Sequence, residues 1–175
     1  SIDTGYIVRN FVDTFTDFPR LKEADNTFIH GARGTGKSML LRSLEPAVMK
    51  ARTNTTVKDL DFFAVHVPLR QADFGSPEIS YSDGYVGAVI GEHRLVMHSA
   101  FKILETIEST GEELVPESVK RCIDSFVHRF ELNGGSTEDT KDINTIAELK
   151  SLCDREALKA RQFYVRRKPS VSHLD

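Results

Sequence analysis

The order of hydrophobic and polar positions predicts short extended runs alternating with helices in the first 69 residues. Apolar residues recur at helical spacing over Ile7–Phe18, and Pro19 follows where a helix would stop. A β-prone run at 27–30 then leads through glycines into a helical pattern over 37–49. The stretch 60–69, LDFFAVHVPL, is the most hydrophobic in the chain and is typical of a buried parallel strand.

The rest of the chain shows helical patterns separated by polar stretches. Glycine, serine and aspartate at 70–87 predict a long loop. Amphipathic helices are predicted over 89–109, from Pro116 onward, and over 143–165. Their apolar faces comprise Val96, Ala100, Ile103, Leu104 and Ile107 in the first, Val119, Cys122, Ile123, Phe126, Val127 and Phe130 in the second, and Ile146, Leu149, Cys153 and Ala157 in the third. We expect all three helices to face a core.

Composition and charge add little to this picture. The chain is 39% hydrophobic and 28% charged, as in ordinary globular domains, and its net charge of -3 gives no overall attraction to nucleic acid or anionic membranes. Cys122 and Cys153 lack the spacing of a metal site, which favours a reduced, cytoplasmic chain. No apolar run approaches the roughly 20 residues needed to cross a bilayer, so no membrane partner is expected.

The glycine-rich loop is the clearest indication of a chemical function in the sequence. Gly31–Ser38, GARGTGKS, fits the Walker A pattern G-x-x-x-x-G-K-[ST], and we call it the P-loop. The glycines let successive N–H groups converge on phosphate oxygens. Lys37 can reach the β- and γ-phosphates, and the Ser38 hydroxyl can coordinate Mg²⁺. The sequence therefore predicts a site for ATP and Mg²⁺, with Lys37 as the catalytic residue and Ser38 as the magnesium ligand.

The predicted nucleotide contacts form one continuous segment. They are Gly31, Ala32, Arg33, Gly34, Thr35, Gly36, Lys37, Ser38 and Met39. Ala32 and Thr35 are expected to contribute mainly backbone groups. The β-prone run before the P-loop and the helical pattern after it are the surroundings that this motif requires.

A second motif needed for hydrolysis is not visible in the sequence. Such enzymes normally hold Mg²⁺ through an apolar strand that ends in Asp. The aspartates near 60–69 lie at its start, and Asp154 lies within a helical pattern. Two strands are also too few to cover the predicted helices. The sequence thus predicts an α/β fold with a parallel sheet, of which the chain is an incomplete portion.

This interpretation assigns residues 1–175 to the N-terminal part of a single P-loop ATPase domain. Residues 1–26 form a lead-in helix, 27–69 the nucleotide-binding strand, loop, helix and strand, 70–168 a long loop and helical segment, and 169–175 a tail.

The stretch FIHGARGTGKSMLLRSLEP extends the match beyond a generic P-loop. It resembles the AAA+ ATPases related to origin-recognition and replication-licensing proteins, including bacterial relatives with defence-related roles. The resemblance is specific over roughly residues 27–46, and it implies that Gly31, Gly34, Gly36, Lys37 and Ser38 form the nucleotide site. It also implies that the fold is a P-loop NTPase αβα sandwich with a parallel sheet. The chain would then be an oligomer or a subunit of a larger assembly, coupled to DNA or a partner protein. The family's acidic motif, sensors, arginine finger and winged-helix domain have no counterpart here.

Three functions stay open at this point. The first is an ATPase that acts as a nucleotide-driven switch or motor coupled to DNA or a protein. The second is a kinase on a P-loop scaffold, with 70–87 as the acceptor pocket, and the third is an interaction module that binds nucleotide without hydrolysing it.

A cluster of cations near the end of the helical region bears on the nucleic-acid partner. It comprises Lys159, Arg161, Arg166, Arg167 and Lys168, with Phe163 and Tyr164 interleaved. This composition is typical of a nucleic-acid contact. A solvated helix end, where cations also suit the helix dipole, is the favoured interpretation, because one short patch in a mildly acidic chain is weak evidence for nucleic acid.

Overall fold

The structure is a computed structural model that describes residues 3–12, 18–23, 25–69, 84–111 and 114–166. The chain divides into two compact units. The first comprises Ser1–His66 with Ser109–Glu112, and the second comprises Val67–Glu108 with Glu113–Asp175.

The first unit is built from short helices around a small apolar core. Its elements are α1 (Thr4–Asn10), a 3-10 helix (Phe18–Lys22), α2 (Lys37–Arg42), α3 (Pro46–Thr53) and a second 3-10 helix (Val57–Asp59). Helix α1 packs on α3, and the fully buried Ile7 and Val48 lie on these two helices. Asp3 caps α1 by accepting a hydrogen bond from the Tyr6 N–H at 2.6 Å, which satisfies one of the free donors of the first turn.

The break between α2 and α3 follows from one proline. Pro46 is the first residue of α3, and its ring disfavours helical geometry at the preceding residue. Glu45 is accordingly extended, with φ −56° and ψ 138°. The single helix predicted over 37–49 is therefore two helices, and α2 has only six residues.

The second unit is a group of helices around one larger core. It contains α4 (Gly84–Ser109), α5 (Pro116–Leu132), α6 (Thr137–Thr140) and α7 (Ile146–Arg166). The core comprises Met97, Leu104, Ile123, Phe130, Ile146, Leu149, Leu152 and Cys153. In the first turn of α7, Glu148 accepts hydrogen bonds from the N–H groups of Asn144 and Thr145, while its own N–H donates to Thr145 Oγ1. This capping box fixes the start of the helix, and its hydrogen bonds lower the pKa of Glu148.

The predicted αβα sandwich with a parallel sheet is wrong. Every regular element in the described ranges is a helix, and neither 27–30 nor 60–69 forms a strand. Both runs are also poorly buried, since Phe28 is 96% exposed and Phe63 44% exposed. An apolar β-prone run sets an extended preference, but a strand also needs a neighbouring backbone to hydrogen-bond with. Within the described part of the chain, these runs do not find one.

The predicted helical faces are partly right. Buried Leu104, Ile123 and Leu149 confirm one core-facing stripe on each long helix. Val96 and Ile103 are 52% and 44% exposed, because the buried side of α4 is centred on Met97 and Leu104. Cys122 is exposed as well.

The loop predicted at 70–87 can be compared with the structure only in part. Residues 70–83 lie outside the described residues, and 84–87 belong to α4.

Among the helices that the structure describes, none combines the length and apolar character needed to cross a membrane.

Candidate phosphate-binding loop

The P-loop follows a segment without regular structure and runs into α2. Gly34 and Gly36 adopt positive φ angles of 90° and 81°, a conformation that favours glycine over residues with a side chain. Gly36 is the N-cap of α2, so the motif's lysine and serine are the first two residues of that helix. Two of the three glycines of the pattern, Gly34 and Gly36, therefore occupy backbone conformations that favour glycine.

Lys37 folds back over the P-loop. Its Nζ donates to the carbonyl oxygens of Gly31 at 2.5 Å and Ala32 at 2.6 Å. A longer hydrogen bond of 3.3 Å reaches Thr35 Oγ1. All the acceptors in these contacts are uncharged oxygens, and within the described residues no carboxylate forms an ion pair with the ammonium.

The other predicted contacts are accessible to a ligand. Ala32, Arg33, Gly34, Thr35 and Ser38 are exposed, whereas Lys37 and Met39 are half-buried. Because these residues are consecutive, their proximity follows from the sequence alone. What the structure adds is the inward position of the lysine and the outward position of the serine.

Thr35 has a contact that sequence reasoning did not find. Its hydroxyl donates to the Ala32 carbonyl at 2.9 Å. The x positions of the motif are unrestricted, so the pattern itself carries no signal for this contact. A threonine three residues after a carbonyl in a predicted turn is the feature that could have indicated it.

The residues just before the P-loop line a cleft of about 370 Å³. It is bordered by Arg20, Leu21 and the run 25–30. Phe28, which belongs to this run, is 96% exposed. The motif pattern gave no reason to single these residues out.

Acidic side chains suited to a metal site are not gathered in the described ranges. No group of three or more His, Cys, Asp or Glu residues there could hold a metal ion. Asp59 lies instead in a capping box with Thr56, accepting from its N–H and its hydroxyl. A magnesium ion at the P-loop would therefore depend on Ser38 and on oxygens of the nucleotide and water.

The cation cluster near the end of α7 is partly neutralised. Lys159 Nζ lies 2.8 Å from Asp139 and 2.8 Å from Glu156, and these hydrogen bonds raise its pKa. The side chains of the other four cations lie outside the described residues. Lys159 thus has local carboxylate partners, as expected of a solvated helix end.

Comparison with known proteins identifies the family. A family model described as ORC-CDC6-like matches residues 2–173, which includes the P-loop and both units. No curated protein and no solved structure matches the chain.

Proposed function

Because the chain belongs to the ORC-CDC6-like family, we propose that it binds ATP with Mg²⁺ through the P-loop and that this binding acts as a molecular switch. Membership of the family implies an ATPase-related role. The proposal adds four finer points: the ligand is ATP, its ion is Mg²⁺, the ATP is hydrolysed, and binding is coupled to a partner.

The position of Lys37 is the observation that carries this function. Its ammonium lies over the P-loop on uncharged carbonyl oxygens, 2.5 and 2.6 Å away. A triphosphate offers charged oxygens, and charge-assisted hydrogen bonds are roughly twice as strong as neutral ones. Exchange of a carbonyl for a phosphate oxygen therefore favours the bound state.

The conformation of the P-loop supports the same ligand. Gly34 and Gly36 have open space where a Cβ would be, and both have positive φ. Backbone N–H groups in such a turn can face an anion at close range without a side chain in between. The fit of the phosphate chain thus depends on the backbone, and Lys37 supplies the full charge.

Magnesium would be held mainly by oxygens that the protein does not supply. Mg²⁺ usually keeps several waters and takes one or two protein ligands beside the phosphates. The exposed Ser38 hydroxyl, one residue after Lys37, is suited to be such a ligand. Bound there, Mg²⁺ would supply positive charge that offsets the charge developing on the phosphates.

The switch would be coupled to DNA or to a partner protein, in an oligomer. This part of the proposal is what membership of the family suggests, and it rests on no contact in the structure. Release of inorganic phosphate, measured with and without duplex DNA, separates an ATPase from a module that only binds nucleotide.

Calorimetric titration with Mg-ATP tests the proposal directly. We expect Lys37→Ala to weaken binding tenfold or more, which is about 1.4 kcal/mol. Lys58→Ala is the matched control, because Lys58 is an exposed lysine of the same unit outside the P-loop, and we expect its affinity to stay within twofold of wild type. Circular dichroism verifies folding. A folded wild-type chain without affinity for Mg-ATP, or equal affinities for wild type and Lys37→Ala, would overturn the proposal.

A further inference from the structure

The turn inside the P-loop is closed by a side chain more firmly than by the backbone. Residues 32–35 form a turn with Gly34 at its third position and a φ of 90°, as a type II turn requires. The backbone hydrogen bond that should close it, from the Thr35 N–H to the Ala32 carbonyl, is long at 3.4 Å. The Thr35 hydroxyl reaches the same carbonyl at 2.9 Å.

The same hydroxyl is linked to the charge of the site. An ammonium group has three donors, and those of Lys37 match three acceptors, which are the Gly31 carbonyl, the Ala32 carbonyl and Thr35 Oγ1. The Ala32 carbonyl therefore accepts from both Lys37 and Thr35. Loss of the hydroxyl would loosen the turn and remove one of the three acceptors that hold the ammonium.

The absence of a side chain at Gly31 leaves space for the Thr35 hydroxyl. A Cβ at residue 31 would come within 3.0 Å of Thr35 Oγ1. The first glycine of the motif thus lets the Thr35 side chain turn inward across the loop.

We infer that Thr35 is a positioning residue for nucleotide binding, whose hydroxyl closes the 32–35 turn and orients the Lys37 ammonium before the phosphates arrive. This inference rests on the proposed function of the P-loop. It assigns a side-chain role to a residue for which the sequence predicted only a backbone role.

A pair of conservative variants separates the hydroxyl from the rest of the side chain. Thr35→Val removes the hydroxyl and keeps the β-branched shape, whereas Thr35→Ser keeps the hydroxyl and removes the methyl. We expect Thr35→Val to weaken Mg-ATP binding by about threefold to tenfold, the effect of one hydrogen bond, and Thr35→Ser to stay within about twofold of wild type. Because Thr35 is exposed, both variants should keep the wild-type melting temperature.

A measurement on the ligand-free chain distinguishes failure of this inference from failure of the proposed function. The ¹⁵N order parameters of the Gly34 and Gly36 amides report the rigidity of the turn without nucleotide. We expect them to fall in Thr35→Val and to be restored in Thr35→Ser.

Three outcomes would contradict the role of Thr35 wholly or in part. Wild-type affinity and wild-type order parameters in Thr35→Val would overturn the inference, and so would an equal loss of affinity in Thr35→Ser. If the folded wild type does not bind Mg-ATP while Thr35→Val still lowers the order parameters, the role in nucleotide binding is overturned together with the proposed function, and only the closure of the turn stands.

Discussion

At the scale of single residues, the two cysteines show how burial decides chemistry. Cys122 is exposed on α5, whereas Cys153 is fully buried on α7. Loss of hydration raises the pKa of the Cys153 thiol to about 11, and the nearby negative charge of Glu156 adds to the rise. Since the thiolate is the reactive form, Cys153 is a packing residue, as the helical stripe predicted.

The raised pKa of Cys153 predicts a loss of stability at alkaline pH. The ordinary pKa is 9.0, so between pH 9 and 11 the unfolded chain loses a proton that the folded chain keeps. The free energy of unfolding should therefore fall as pH rises through this window, by up to about 1.4 kcal/mol per pH unit from this group. Urea unfolding at pH 8, 9 and 10 measures the slope.

Two alanine variants isolate this contribution from that of other groups that titrate in the same range. Cys153→Ala should show a shallower slope than wild type, and Cys122→Ala should keep the wild-type slope. Identical slopes in Cys153→Ala and wild type would contradict the prediction.

At the scale of elements, local patterns predicted the three long helices α4, α5 and α7, whereas α1 ends at Asn10, short of the predicted Phe18. Pro116 marks the start of α5 as predicted, and Ile146 and Leu149 lie on the buried side of α7. The runs 27–30 and 60–69 failed as strands because a sheet depends on partners that no local pattern specifies. The positive φ angles of Gly34 and Gly36 agree with the motif, whereas the contact of Thr35 depends on how the loop closes.

The two sides of α7 should respond differently to the same substitution. Leu149 is fully buried and Leu158 is 48% exposed, so Leu149→Ala creates a cavity and Leu158→Ala does not. We expect a loss of about 2–5 kcal/mol for the first and below about 1 kcal/mol for the second. Both substitutions replace leucine by alanine in the same helix, so the change in helix propensity is nearly the same in the two variants. Equal losses in denaturant unfolding would show that the face of α7 is wrongly assigned.

At the scale of the whole molecule, each of the two units has its own buried core. Val48 is fully buried in the first and Leu149 in the second. A chain with two cores does not have to unfold in one cooperative step, because each core can be lost by itself. If the proposed nucleotide site is correct, ligand binding at the P-loop would add stability to the first unit, to which the loop belongs.

Calorimetry of the intact chain should resolve two thermal transitions. We expect Val48→Ala to lower the melting temperature of one transition and Leu149→Ala that of the other, since each change removes packing from one core. Mg-ATP should raise the transition that Val48→Ala lowers. A single transition that both variants shift equally would contradict separate cores.

Pro46 determines how a movement at the P-loop is passed on. An unbroken helix from Lys37 to Thr53 would be a rod about 25 Å long, and any tilt of its first turn would swing its far end. The chain instead has a six-residue α2 and a separate α3 that packs on α1. Lys37 therefore belongs to a helix separate from the one that packs on α1. A displacement of the P-loop does not have to move residues 37–53 as one rigid rod.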